Sequence, residues 1–166
     1  MVDLSFAGGF ALEDSIFKGL ALGAPFTKLT CMGRGIMIPG FLGANIEGAI
    51  HPDRREKLNG NWDKLPARIS AMGTTPEAIF ASYYDVEKKV GKDEMKNIPY
   101  GAIAMWTMAD KLACGLQQLM AGARKFQLNK ITRNDIFAGN RETARETGIT
   151  YITDSRDESA KKILAG

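Results

Sequence analysis

Two glycine-rich segments near the start of the chain contain the residue types that bind a phosphate group. Gly8-Gly9 follows one short apolar run, and Gly33-Arg34-Gly35 follows another. Glycine adopts positive φ angles and allows close approach of the backbone, so that turned-in N–H groups can hold an anion. Arg34 would add a charge-assisted hydrogen bond. Ordinary tight turns have the same pattern, and the spacing alone supports both interpretations equally.

A strand, a helix and a second strand must position these turns. Residues 4–7 predict the first strand, and the apolar residues between 16 and 21 recur at helical spacing until Gly23, which is placed to end the helix. Residues 26–30 predict the second strand. Such a unit normally pairs its strands in parallel through a right-handed crossover. Both glycine turns would then lie at the carboxyl ends of the strands, where α/β proteins bind ligands.

Composition and charge exclude several classes of function. A chain of 166 residues with 45% hydrophobic and 25% charged residues is typical of one soluble globular domain. Its formal net charge of +3, without a cluster of lysine and arginine, argues against a nucleic-acid partner. No apolar run is long enough to span a membrane. No signal-peptide pattern is present, and the sequence therefore predicts a cytoplasmic protein.

Motifs for metal binding and for catalysis are missing from the sequence. Cys31 and Cys114, the only cysteines, do not form a metal-binding spacing, and His51 is the only histidine. There is no Ser/His/Asp set, paired-carboxylate pattern, HExxH motif or complete P-loop. We therefore assign neither a catalytic residue nor a metal ligand.

The rest of the chain is expected to be mainly helical. Helical periodicity, helix-start signals and glycine stops define the segments. They are a helix or broken helix, weakened by its glycines, over 36–50, a polar loop over 51–63, a helix from Thr74 to about 90, a long helix from about Ala102 to Lys125, a short helix over 140–147, and a frayed or weakly helical tail from 153.

These segments resemble the FMN-binding glutamate synthase family. Gly8-Gly9 is similar to the family's turn after its seventh strand, and Cys31-Met-Gly-Arg34 is similar to the turn after its eighth. The likeness continues through Gly73-Thr-Thr-Pro-Glu77 and reaches about Ile152. Its most specific part is the run from Leu116 to Arg124.

The resemblance implies a fold class between α/β and mainly α. Residues 1–50 would be the last two βα units of a TIM-type (β/α)8 FMN barrel, and residues 51–166 a helical extension with a polar tail. A complete barrel needs about 250 residues. The chain would therefore be the carboxyl-terminal part of a longer protein, with an incomplete barrel.

The resemblance also implies a cofactor and a reaction. The family's two turns hold the flavin phosphate, and the residues assigned to FMN are accordingly Gly8, Gly9, Gly33, Arg34 and Gly35. The family is one of oxidoreductases that carry out the reductive amination of 2-oxoglutarate to glutamate, a step of amino-acid biosynthesis. Larger glutamate synthases also have closely spaced cysteines for an iron–sulfur cluster after the eighth strand. Only Cys31 is present here, so no cluster is expected.

A non-catalytic, mainly helical assembly module derived from that barrel is the alternative. Two strands without neighbours expose unpaired edges and apolar faces. Either the missing amino-terminal barrel portion or self-association into a homo-oligomer would cover them. Neither interpretation gives this chain alone full catalytic activity.

Overall fold

The computed structural model describes residues 3–165, with the backbone alone for 157–159, and this part of the chain is mainly helical. Its strands are β1 (Leu4–Ala7) and β2 (Thr27–Cys31). Its α-helices are α1 (Glu13–Leu22), α2 (Arg34–Ile50), α3 (Ala67–Ser70), α4 (Pro76–Ile79), α5 (Tyr83–Val90), α6 (Lys92–Met95), α7 (Tyr100–Gly122), α8 (Arg141–Thr147) and α9 (Ile152–Leu164).

The chain forms two compact units. The first unit contains residues 3–31 and 115–165, and the second unit contains residues 32–114. Helix α7 contributes its amino-terminal part to the second unit and its last turns to the first. The domain boundary expected at residue 50 stays a prediction.

In the first unit, β1 and β2 form a parallel pair, and α1 connects them in the chain. Leu4 pairs with Thr27, and Ala7 pairs with Cys31, so both strands end at the same edge of the sheet. The apolar face of α1 contributes to a core whose buried members are Phe17, Leu20, Ala21, Met120 and Ile131. The predicted strand–helix–strand order and its parallel pairing are confirmed.

The prediction that residues 1–50 are the last two units of a (β/α)8 barrel is wrong. Barrel strands are buried by the packed interior on one face and by helices on the other. Here three of the four residues of β1 are exposed, as are three of the five in β2. Every later regular element in the described residues is helical, apart from an isolated bridge between Ala138 and Tyr151. The fold is a mainly helical one with a two-stranded parallel sheet.

In the second unit, the glycines of α2 make close helix packing possible. A Cβ atom built on Gly43 would lie 2.5 Å from the backbone oxygen of Tyr100, and one on Gly101 would lie 2.8 Å from the oxygen of Gly40. The backbones of α2 and α7 therefore approach each other at these glycines, where there is no room for a Cβ atom. Sequence reasoning treated these glycines as a weakness of the helix, yet α2 is continuous over 17 residues.

The core of the second unit surrounds this contact. Its buried members are Ile46, Phe80, Val86, Met95, Tyr100, Ile103 and Ala104. The single helix predicted from Thr74 is divided into α4 and α5, because Phe80 is extended and buried between them. Ser82 Oγ donates a 3.0 Å hydrogen bond to Asp110 Oδ2, which fixes the break.

The close approach at Gly43 gives a stability prediction. We expect Gly43→Ala to lower the free energy of unfolding by about 1–3 kcal/mol, because its methyl group would overlap the backbone of Tyr100. Urea unfolding monitored by circular dichroism measures this change. The matched control is Gly122→Ala, because a Cβ atom there meets nothing within 4 Å and alanine favours a helix. Equal stabilities for the two variants would contradict the close-packing argument.

Candidate functional site

The first candidate turn, Gly8-Gly9, has a backbone that favours glycine. Its φ angles are +92° at Gly8 and +75° at Gly9. Residues with a Cβ atom rarely adopt this region. Nothing lies within 4 Å of a Cβ built on either glycine, so backbone conformation, and not crowding, accounts for the residue type. The turn is exposed and directly follows β1.

Phe10 holds the end of this turn against α1. Its ring would lie 2.7 Å from a Cβ atom built on Gly19, which shows how closely the ring rests on the helix backbone. At the start of α1, Ser15 Oγ donates to the carbonyl of Leu12 at 2.8 Å. The ring of Phe10 therefore anchors the residue after the turn to α1, and the Ser15 hydrogen bond stabilises the start of that helix.

The second candidate turn forms the start of α2. Gly33 is its N-cap residue, Arg34 is its first residue, and no side chain caps this end among the described residues. A Cβ atom on Gly33 would meet nothing within 4 Å. The guanidinium of Arg34 takes part in none of the ion pairs found among the described side chains.

The two helix starts differ in their electrostatics. The first turn of α1 carries Glu13 and Asp14, whose charges already compensate the positive end of its dipole. The hydrogen bond and charge of Lys18 lower the pKa of Asp14, which keeps that carboxyl ionised. The first turn of α2 carries Arg34 and no acidic residue. An incoming anion is therefore favoured at the start of α2 over the start of α1.

The residues predicted for the flavin phosphate fall into both units. Gly8 and Gly9 belong to the first unit, and Gly33, Arg34 and Gly35 belong to the second. Within the first unit, the pairing of Ala7 with Cys31 brings the ends of the two preceding strands together, as the sequence indicated. Their assignment to FMN stays a prediction. In the first unit, the glycines with positive φ fit an anion, and in the second unit the uncapped helix start with Arg34 does so separately.

Sequence reasoning missed a buried carboxylate in the second unit. Glu47 is only 4% exposed. Its Oε2 accepts a 2.8 Å hydrogen bond from the N–H of Tyr100, the first residue of α7, and its Oε1 accepts a 3.3 Å hydrogen bond from Arg54 Nη1. A glutamate between Ile46 and Gly48 gives no sequence signal for this role, because its partners lie 53 and 7 residues away.

The polar loop after α2 is fixed to that helix by Arg55. Its Nε donates to the carbonyl of Gly48 at 3.2 Å, and its Nη1 forms a 2.6 Å ion pair with Asp63. The N–H of Asn61 donates to Asn45 Oδ1 at 2.6 Å. These bonds hold residues 51–63 in a defined conformation although the segment has little regular structure.

No metal site and no membrane span are found in the described part of the chain. Its side chains contain no group of three or more His, Cys, Asp or Glu that could hold a metal ion. None of its helices is both long and apolar enough to cross a membrane. Cys31 and Cys114 are both free and exposed. The expectation of no iron–sulfur cluster stays a prediction.

Comparisons with known proteins leave the family open. Searches with protein-family models, against curated proteins and against solved structures found no match. The resemblance to glutamate synthases consequently enters the functional assignment as a proposal.

Tyr100 gives a pH-dependent prediction. Burial, together with the charge of Glu47, raises its pKa from 10.0 to about 12. A raised folded-state pKa means that the contribution to stability is complete below pH 10 and is lost as the pH rises toward 12. We therefore expect Tyr100→Phe to reduce the loss of stability between pH 8 and pH 11, measured by urea unfolding at both values. At pH 8 its own cost should stay within about 1 kcal/mol, because the hydroxyl has only a 3.4 Å contact with His51 Nε2.

Tyr84→Phe serves as the control for this experiment. Tyr84 is 65% exposed, so its removal should leave the pH dependence as in the unmodified chain. An unchanged pH dependence in Tyr100→Phe would show that burial of this hydroxyl does not limit alkaline stability.

Proposed function

We propose that this chain is the carboxyl-terminal portion of a glutamate synthase-like FMN-dependent oxidoreductase, and that its glycine turns bind the phosphate end of the flavin. The observation that carries the proposal is the left-handed backbone of Gly8 and Gly9 directly after a parallel strand. A turn of this kind presents N–H groups to an anion. The residue-level resemblance described above supplies the identity of the anion.

Each assigned residue has a distinct role in this proposal. Gly8 and Gly9 present backbone N–H groups, and Gly33 leaves the start of α2 open to the ligand. Gly35 is assigned from the family resemblance alone. Arg34 neutralises phosphate charge through its guanidinium. FMN, when bound, supplies the electron transfer for reductive amination. No residue of this chain is given a catalytic role, so activity requires the amino-terminal portion.

A cytoplasmic location is part of the same proposal. Free, exposed thiols persist in a reducing compartment. Cys31 and Cys114 are both of this kind.

The second candidate function is a helical assembly module. The observation that favours it is the exposed apolar side chains on the first half of α2, where Ile38 and Phe41 are each 64% exposed and Met37 is 49% exposed. Ile38 and Phe41 are three residues apart, so they share one face of the helix. In this proposal such a face is covered by association with another copy, or with the amino-terminal portion that the flavin proposal implies.

The flavin proposal is tested by titrating FMN into the purified chain and following fluorescence quenching. We expect saturable binding that Arg34→Ala weakens about tenfold or more, because a charge-assisted contact to the phosphate is lost. Gly9→Ala should also weaken binding, because alanine is strained at a φ of +75°. Lys64→Ala removes a positive charge elsewhere on the second unit and should leave FMN affinity unchanged. Equal losses in Arg34→Ala and Lys64→Ala would reduce the effect to nonspecific charge attraction.

The assembly proposal is tested by gel filtration with light scattering. We expect a dimer or larger species that Phe41→Glu converts to monomer, because a charge on the exposed face of α2 opposes burial. Tyr84→Glu is the control, since it places a charge at another exposed aromatic residue. A monomer at every concentration would rule out self-association. A colourless, well-defined oligomer would favour this module over the flavoprotein.

A further inference from the structure

A basic cleft lies in the second unit between the loop after α2 and the segment that leads into α7. Its volume is about 340 Å³, and Arg54, Lys57 and Lys96 line it. Three cations therefore face one carboxylate, that of Glu47. Ligand pockets have volumes of roughly 300–1,000 Å³, so this cleft is large enough for a small metabolite.

Glu47 compensates the charge of Arg54, and the charges of Lys57 and Lys96 have no carboxylate partner among the residues that line the cleft. Its two oxygens accept hydrogen bonds from Tyr100 N–H and Arg54 Nη1, and its side chain is 5% exposed. The contact with Glu47 orients the guanidinium of Arg54, whose side chain remains 52% exposed. Its donors other than Nη1 are then available to a planar or tetrahedral oxyanion.

Arg54 and Arg55 differ in how many of their side-chain donors are used within the protein. Arg55 donates hydrogen bonds from Nε, Nη1 and Nη2 to Gly48 and Asp63, and its side chain is 27% exposed. Arg54 donates one side-chain hydrogen bond, to Glu47. Arg55 fixes the loop that carries Arg54 and Lys57, and Glu47 orients the guanidinium of Arg54 before any ligand arrives.

The other residues that line the cleft indicate the chemistry of the rest of the ligand. Leu58, Ile98 and Pro99 supply apolar surface, and the side chain of Asn97 adds an amide. A bare phosphate ion would leave this apolar surface without a contact. A ligand with an anionic group and a small organic body fits both parts of the wall.

We propose that this cleft binds the phosphate group of a small phosphorylated metabolite, at a site separate from the glycine turns. Arg54 provides a forked contact, and Lys57 and Lys96 provide point charges. Lys96 also forms an exposed 3.3 Å pair with Asp93, which a dianion would replace at little cost. The inference does not depend on the flavin proposal.

The test uses glycerol 3-phosphate as the ligand probe and isothermal titration of the full chain at constant ionic strength. We expect saturable binding that Arg54→Ala weakens about tenfold and Lys57→Ala weakens about threefold. Arg54→Lys should restore part of the affinity, because it returns the charge without the fork. Inorganic phosphate should bind more weakly than glycerol 3-phosphate, since it lacks the organic body.

Two controls separate this site from the flavin turns and from nonspecific attraction. Arg34→Ala and Lys64→Ala should both leave glycerol 3-phosphate affinity unchanged. Loss of binding in Arg34→Ala would overturn the proposal, because the phosphate would then be bound at the start of α2. Absence of saturation, or equal weakening by all four alanine variants, would also overturn it. Circular dichroism is to be used to check that Arg54→Ala is folded, and Lys57→Ala gives an independent test at an exposed residue.

Discussion

A buried hydrogen bond between two helices organises the second unit. Glu47, in the last turns of α2, accepts a 2.8 Å hydrogen bond from the N–H of Tyr100, the first residue of α7. This N–H belongs to the amino-terminal turn of a helix, which has no backbone partner of its own. The carboxylate satisfies it and meets the positive end of the helix dipole. The two backbones approach closely beside this bond, where Gly43 leaves no room for a Cβ atom.

The same bond connects the core to the surface cleft. The other oxygen of Glu47 accepts from Arg54 at 3.3 Å, so the residue that caps α7 also orients a cation. The ring of Tyr100 packs edge-to-face on Phe80, with ring centroids 5.8 Å apart, inside the apolar core. A single buried carboxylate thus links helix capping, core packing and a positively charged surface.

In the first unit, backbone conformation and not a buried charge determines the candidate turn. Gly8 and Gly9 follow β1 and have positive φ angles. The ring of Phe10 then packs against α1 at Gly19. The parallel pairing of β1 with β2 fixes where this turn lies. With only two strands, however, the sheet lacks the closed hydrogen bonding and the two-sided burial of a barrel. The Gly8-Gly9 turn therefore belongs to a fold that is mainly helical in the described residues.

The sequence by itself determined the local features of this protein. Helical spacing located α1 and α7, glycine stops ended helices, and the Gly8-Gly9 segment indicated a left-handed turn after a strand. These features depend on residues close together in the chain, whose preferences are intrinsic. Tertiary structure decided the fold class, because the number of strands in a sheet depends on contacts between distant segments. It also decided the structural roles of Gly43 and Glu47, whose partners in α7 lie more than fifty residues further along the chain.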